Sequence, residues 1–478
     1  MLEISENDIL QSLERDNPWW EIGSKTLTHT FTKRRAYFEA FMRLALNFEV
    51  RRAVILMGPR RVGKTVMLYQ LIDEAIASGF PPGSILFASL DTPIYSGMPL
   101  ESLLDLFDKR TTQDPNSRRM VIFDEIQYLR DWEVHLKVLT DRHPNIRFIA
   151  SGSAAAALRL KSQESGAGRF TDFFLPPLTF AEFLDFSDLE DELIQGEPRG
   201  RTLRYKTSDI DRLNREFINY LNFGGYPEAV LNPEIRSDVR RFLGRDIVDK
   251  VLLRDLPSLY GIQDIQELNR LFTTIAYHSG HEISLAGLAS SSGVAKNTIS
   301  RYLEYLEAAF LIVRVRRVDD TGKTFQRMVQ FKAYLTNPSM RAALLAPLRD
   351  SDDIMGALAE TAIFSQWSHS NLLESIHYAR WKSGRQWREV DLVRIDSGTL
   401  RPVWAYDIKW SDRFVDRPGE LRGLIEFALK NGIENAPVGS TTRTKTSESL
   451  VDGVTIRHFP CALHCYQIGR NVFEGRPA

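Results

Sequence analysis

The eight residues GPRRVGKT, 58 to 65, constrain this chain more than any other stretch. They follow the apolar run AVILMG and lead into KTVMLYQLIDEAI, the pattern of a strand that passes through a glycine loop into a helix. Gly58 and Gly63 let backbone wrap closely round an anion, and the N-terminus of the following helix presents unpaired N–H groups to it. Gly58, Pro59, Arg60, Arg61, Val62, Gly63, Lys64 and Thr65 are therefore read as a phosphate cradle. In this cradle Lys64 reaches the β- and γ-phosphates of ATP and the Thr65 hydroxyl holds Mg2+.

Such a cradle needs an acid for the metal and a group that orients water. MVIFDEIQYL offers both: Asp124 at the end of four apolar residues as the metal-coordinating acid, and Glu125 as the base acting on the attacking water. The next apolar run, IRFIASGS, ends in Ser151 and Ser153, either of which stands where a γ-phosphate sensor is expected; a plain turn with a cap at Ser153 is the alternative. Arg169, in the glycine-containing GAGRF, is a candidate to stabilise transition-state charge in a neighbouring subunit or else a surface ion-pair residue. The runs AVILMG, SILFASLD, MVIFDE and IRFIASGS are continuous rather than alternating, which predicts strands covered on both faces in a parallel sheet and an α/β fold.

A chain of 478 residues exceeds one ordinary core, so two to four domains are expected. A formal net charge of -1 gives no global attraction to nucleic acid, which leaves local basic patches to supply any. The only cysteines, Cys461 and Cys465, lack the second pair of a structural zinc site and read as reduced thiols. The acidic start MLEISENDIL is unlike a secretion signal, and no apolar run approaches the roughly 18 residues of a membrane span. A cytoplasmic location without membrane insertion is expected. Trp19 and Trp20 in DNPWWE, and the helical spacing of Tyr37, Phe38, Phe41, Leu44 and Leu46, predict an N-terminal segment docked on the following domain.

Taken in order, NPWW, RRAYFEAF, VILMGPRRVGKT, VIFDEIQYLRDW, FIASGS and GRFTDFFLPPLTFAEFL resemble the AAA+-type ATPases that carry a C-terminal domain of unknown function. The resemblance continues through FGGYPEAV and RRFLGRDIVDKVLLRDL. It implies nucleotide binding at Gly58, Gly63, Lys64 and Thr65 and hydrolysis at Asp124 and Glu125, although serine stands at the sensor position where Asn or Thr is commoner. An arginine supplied between subunits implies a homo-oligomer.

Further along, ISLAGLASSSGVAKNTISRYLEYLEAAFLIVRVRRV has the form of a winged helix-turn-helix, with Leu285, Leu288 and Ala289 inward, a turn at Gly293, and Ile299, Tyr302, Leu303 and Leu306 on the second helix. Lys296, Asn297, Ser300 and Arg301 stay exposed near the start of that helix, where a recognition helix meets DNA. A packing module is the competing reading. TGKT at 321 to 324 lacks the upstream glycine of a cradle and reads as a turn; Gly224 and Gly225 read as a close helix contact.

The last stretch holds a second candidate site. Glu360 lies on the helix MGALAETAIFSQW, Asp391 in the strand WREVDLVRI, and Asp407 and Lys409 two apart in RPVWAYDIKWSD, with a hairpin turn at DSGTL that brings Asp391 beside them. Glu360, Asp391 and Asp407 make a hard oxygen set for Mg2+ or Mn2+, and Lys409 suits water activation and phosphorane charge. The ordered set resembles the PD-(D/E)XK, restriction-endonuclease-like core. An inactive copy of that fold, or ordinary ion pairs, are the alternatives.

The expected plan is an N-terminal helical segment (1–48), an AAA+-type P-loop domain (49–195), a helical region with the winged helix (196–330) and a nuclease-like α/β domain (331–478). The expected function is an Mg2+-dependent ATPase that acts on DNA and couples ATP state to cleavage. A regulatory ATPase switch with protein partners is the alternative.

Overall fold

Five parallel strands carry the nucleotide motifs: β1 (Ala53–Met57), β2 (Ile85–Ser89), β3 (Arg119–Asp124), β4 (Ile146–Gly152) and β5 (Phe170–Phe174), in the order β2-β3-β4-β1-β5. The structure, a computed structural model, describes residues 5–22, 32–110, 117–152, 168–199, 202–325, 329–370 and 372–474. Every side chain of β1, β3 and β4 is buried, which is why their sequences run apolar without alternation. The longer helices among the described residues of this unit are α1 (Glu6–Asp16), α2 (Phe38–Ala45), α3 (Lys64–Ala77), α4 (Leu100–Arg110) and α5 (Trp132–Arg142), with a single helical turn at Trp19–Ile22. Contacts divide the chain into two compact units, Met1–Pro176 and Pro177–Ala478.

The tryptophans after α1 dock on the sheet edge. Asn17 is buried and pairs with β2 as a strand would, accepting from the Phe87 N–H at 2.6 Å and donating to the Phe87 carbonyl at 2.8 Å. Both Trp19 and Trp20 donate their indole N–H to the Ile85 carbonyl, at 3.2 and 2.6 Å. The outer edge of β2 is thus partly satisfied by this segment.

In the second unit, β6 (Ile194–Arg199) and β7 (Thr202–Thr207) form a separate hairpin. The remaining strands, β8 (Glu282–Ser284), β9 (Ile312–Val318), β10 (Gln330–Leu335), β11 (Ile376–Ser383), β12 (Gln386–Ile395), β13 (Pro402–Asp407), β14 (Val438–Thr442), β15 (Ser447–Val451) and β16 (Val454–Pro460), join one sheet in the order β15-β16-β14-β13-β12-β11-β9-β10-β8. The helices used below are α6 (Ile210–Phe223), α7 (Ile265–Tyr277), α8 (Leu285–Ser292), α9 (Lys296–Ala308), α10 (Met355–Trp367), α11 (Arg422–Asn431) and α12 (Cys461–Phe473). The stretch α7-β8-α8-α9-β9-β10 sets β10 antiparallel to both β8 and β9. β9 also pairs with β11, so this module and the C-terminal strands share one sheet across residue 330. The two compact units divide between Pro176 and Pro177.

The sequence of α10 reads as an amphipathic helix, but the structure buries all of Leu358 to Trp367, in a core with α6, α12 and the sheet, so the helix has no solvent face along that stretch. Cys461 and Cys465 lie in that core as free thiols, one turn apart. Asp319 collects the N–H groups of Thr321 and Lys323, at 2.8 and 3.0 Å, so TGKT is a turn.

Candidate functional site

The loop between β1 and α3 has the backbone that its glycines permit. Gly63 takes φ of 95° immediately before α3, and a Cβ on Gly58 would collide with the Leu175 carbonyl. Arg61 also has positive φ, at 62°. The Lys64 ammonium donates to the carbonyls of Gly58 and Pro59, at 3.1 and 2.8 Å, bracing the loop from inside. Arg35, which the sequence reading overlooked, is buried and donates to the carbonyls of Val62 (2.7 Å) and Pro176 (2.9 Å), tying the cradle to the chain beyond β5.

Asp124 ends β3 at this loop. Thr65 Oγ1 donates to it at 2.7 Å and Ser151 Oγ also donates to it. Burial and the neighbouring Glu125 carboxylate push the Asp124 carboxyl upward, while the two hydroxyls and Lys64 oppose the rise. Ser151 thus serves the acid directly; Ser153 lies outside the described residues. Glu125 adopts left-handed backbone, φ 52°, its carboxylate accepts from Gln127, and its N–H reaches Asp124 Oδ1 at 3.1 Å. Arg169 is exposed and ion-paired with Asp141. Hard oxygens at Thr65 and Asp124 beside a glycine cradle fit a phosphate-bound Mg2+ in donor chemistry.

The second site forms on one face of the large sheet. Asp391 and Asp407 sit side by side on β12 and β13, joined by the Asp391 N–H to Asp407 Oδ1 at 3.4 Å, and Asp391 Oδ2 accepts from the Ile408 N–H at 2.9 Å. β13 ends at Asp407, and Lys409 follows in a segment held by Thr441, whose Oγ1 meets the Lys409 N–H at 2.7 Å. The Lys409 ammonium nevertheless lies 3.1 Å from Asp391 and 3.6 Å from Asp407. The structure thus brings Glu360, Asp391, Asp407 and Lys409 together with a partner the sequence reading missed: Lys332 of β10. Its ammonium, 1% exposed, lies 2.7 Å from Glu360, 2.7 Å from Glu389 and 3.2 Å from Asp391. Tyr334, two residues on, donates to Glu360.

Among the described residues, no three His, Cys, Asp or Glu side chains are grouped as a ready-made metal set. The Lys332 ammonium stands between Glu360 and Asp391, where the sequence reading expected carboxylates to converge on an ion. Burial pushes Glu360 up to about 7 against the pull of Lys332, and pushes Asp407 up to about 6 against Lys409. Asp391 goes the other way, since Lys409, Lys332 and the Ile408 N–H outweigh its burial. Both lysines are raised by the carboxylates they face. Four carboxylates meet two ammonium groups here, so each carboxylate already faces a cation of the chain or a neighbouring carboxylate.

The expected DNA-contacting residues lie on α9. Lys296, Asn297 and Arg301 are exposed and Ser300 half-buried, while Ile299, Tyr302, Leu303 and Leu306 face the core. Of the basic β9 residues, Arg314 pairs with Glu307, Arg317 lies 3.7 Å from Glu282, and Arg316 is exposed.

Comparison with known proteins agrees with the first unit. Residues 50–184 match the family model described as an AAA domain, and residues 214–351 match a domain of unknown function. An uncharacterized protein of Methanocaldococcus jannaschii is 26% identical over 275 residues, and one of Haemophilus influenzae 25% identical over 278. These alignments take in 56% and 57% of this chain, which spans 58% and 64% of the two relatives' lengths. Among solved structures, C. elegans PCH-2 aligns at 17% identity and TM-score 0.29 over 42% of this chain and 60% of that one. The Candida albicans Pif1 helicase aligns at 14% and 0.23 over 39% and 55%.

The parallel sheet, the cradle and the AAA match define the class of the first unit as an AAA-type P-loop domain. No helix among the described residues is long and apolar enough to cross a membrane.

Proposed function

We propose that this chain is an Mg2+-dependent ATPase whose nucleotide state controls a phosphodiester-cutting site at Glu360, Asp391, Asp407 and Lys409, acting on DNA. The observation that carries the second half is the arrival of a helix glutamate, two strand aspartates and a lysine at one cluster, as in the nuclease-like motif order.

At the cradle, Gly58 to Gly63 wrap the phosphates, and Lys64 exchanges its loop carbonyls for phosphate oxygens. Thr65 and Asp124 would hold Mg2+, which would supply charge neutralisation at the phosphates, while Glu125, oriented by Gln127, would take a proton from the water that attacks the γ-phosphate as its bond to ADP breaks. In the cluster, Glu360, Asp391 and Asp407 are the carboxylates that would hold a divalent ion, which would supply Lewis acidity at the phosphate. Lys409 keeps 28% of its side chain exposed, while Asp391 and Asp407 aim its ammonium. It is the cation that meets a phosphate from solvent. Lys296, Asn297, Ser300 and Arg301 on α9 would meet the DNA backbone.

Lys332 supports a second reading, in which its ammonium satisfies Glu360, Glu389 and Asp391 permanently and the cluster is a scaffold within a regulatory ATPase. Thermal unfolding with Mn2+ or Mg2+ separates the two. A resident metal site predicts a metal-dependent rise in Tm that Asp391→Ala abolishes, whereas a Tm indifferent to both metals favours the scaffold.

A further inference from the structure

The sheet face that carries the cluster continues outward to an unassigned surface. Paired residues on neighbouring strands share a face, and the register sets Arg380 against Glu389, Lys382 against Trp387, and Tyr378 against Arg317. Trp387, Glu389 and Asp391 alternate along β12 on that face, which places Trp387 about 13 Å from Asp391. Trp387 is 55% exposed and Phe325 51% exposed, in a chain that buries most of its large aromatics. The Arg317 guanidinium lies 5.4 Å from the Phe325 ring and 5.7 Å from the Trp387 ring, and Arg380 lies 5.2 Å from Trp387.

These guanidiniums are themselves pinned. Arg317 donates to the Arg380 carbonyl at 2.8 Å, and Arg380 pairs with Glu282 at 3.0 Å. Rigid cations back the two rings, and each ring keeps about half its surface open. Around them the hairpin RWKSGRQWR, 380 to 388, carries Arg380, Lys382 and Arg385 and no acidic residue, while Arg388 alternates to the other face and pairs with Glu426 at 3.2 Å. Lys382 and Arg385 are exposed. A chain of net charge -1 thus concentrates positive charge and open aromatic surface at one place.

We infer that Trp387 and Phe325, backed by Arg317 and Arg380, form a stacking platform for unpaired bases of single-stranded nucleic acid, with Lys382 and Arg385 following its phosphates. Open aromatic faces beside cations are the general means of holding single strands without sequence preference. Bases in a duplex are stacked on one another and offer no such face, so the occupant is single-stranded. A strand held at Trp387 runs along the same face toward Asp391 and Lys409. The inference rests on the reading that this unit acts on nucleic acid, and it names the form of substrate.

The test is fluorescence polarisation of a labelled single-stranded oligonucleotide of mixed sequence and of its duplex, on the full chain in EDTA so that nothing is cut. The variants are Trp387→Ala, Phe325→Ala, Trp387→Phe, and the α9 double variant Lys296→Ala with Arg301→Ala. Trp387→Ala is expected to weaken single-strand binding roughly tenfold or more, Phe325→Ala to weaken it as well, and Trp387→Phe to restore most of it. Far-UV circular dichroism and the urea unfolding midpoint of the two alanine variants should match wild type, which excludes misfolding of the unit that carries the platform. The α9 variant should leave single-strand binding in place. Equal single-strand affinity in wild type and both alanine variants overturns the platform, as does the absence of single-strand binding at low salt, or an acidic peptide competing as well as the oligonucleotide. Wild type that binds single strands through Trp387 yet cuts nothing with Mn2+ keeps the platform and removes only the cutting reading.

Discussion

Glu125 holds a left-handed backbone conformation, φ 52°, that costs on the order of 1 kcal/mol or more for a residue with a side chain, and it does so beside the phosphate cradle. Its carboxylate does not carry the cradle's fold, so Glu125→Gln should keep ATP affinity and lower turnover roughly a hundredfold or more, while Lys64→Ala should lose affinity. Nucleotide titration and steady-state phosphate release on the same samples separate the two effects; unchanged turnover in Glu125→Gln removes it from the chemistry. Glu360 gives a second test through pH. Its folded carboxyl stands near 7 against an ordinary 4.5, so the folded state binds the extra proton between these values. Stability linked to this group is complete below about 4.5 and is lost as pH rises through about 7. Glu360→Gln should therefore flatten the fall in urea midpoint between pH 5 and pH 8. Parallel slopes in the two proteins would place the titration elsewhere.

At the scale of elements, β10 is where the reading of the sequence and the folded cluster part company. Asp391 and Asp407 were legible because a hairpin is a local device that sets β12 against β13, whereas Lys409 lies beyond the end of β13 and reaches the cluster from a segment held by Thr441 rather than by strand alternation. Glu360 was legible from its place on an otherwise apolar helix. Lys332 was not, because strand order sets β9 and β11 between β10 and β12, and no local pattern encodes that approach. The signal available was a lysine within the apolar run QFKAYL, a charge that a buried strand must pair. In the first unit the continuous apolar runs encoded β1, β3 and β4 directly, whereas Asn17 completing β2 and Arg35 bracing the cradle depend on tertiary contacts that spacing does not show. Lys332→Met leaves Glu360, Glu389 and Asp391 without their shared cation and should cost about 3–5 kcal/mol. If those carboxylates also take a divalent ion, Mn2+ should recover part of that loss in a denaturant titration. A variant as stable as wild type would show that the ion pairs contribute nothing net.

At the scale of the whole molecule, one chain holds an AAA-type unit with a phosphate cradle and a second compact unit with a carboxylate and lysine cluster. If ATP state gates the cluster, a change in the cradle must be felt in cutting, although every residue of the cluster remains in place. The most direct measurement incubates wild type, Lys64→Ala and Asp391→Ala with ATP and Mn2+ against single-stranded DNA, duplex DNA and RNA, and records ATP turnover in the same tubes. The account predicts cleavage by wild type, none by Asp391→Ala with its ATP turnover preserved, and reduced cleavage by Lys64→Ala. Wild type that hydrolyses ATP while leaving all three nucleic acids intact contradicts it.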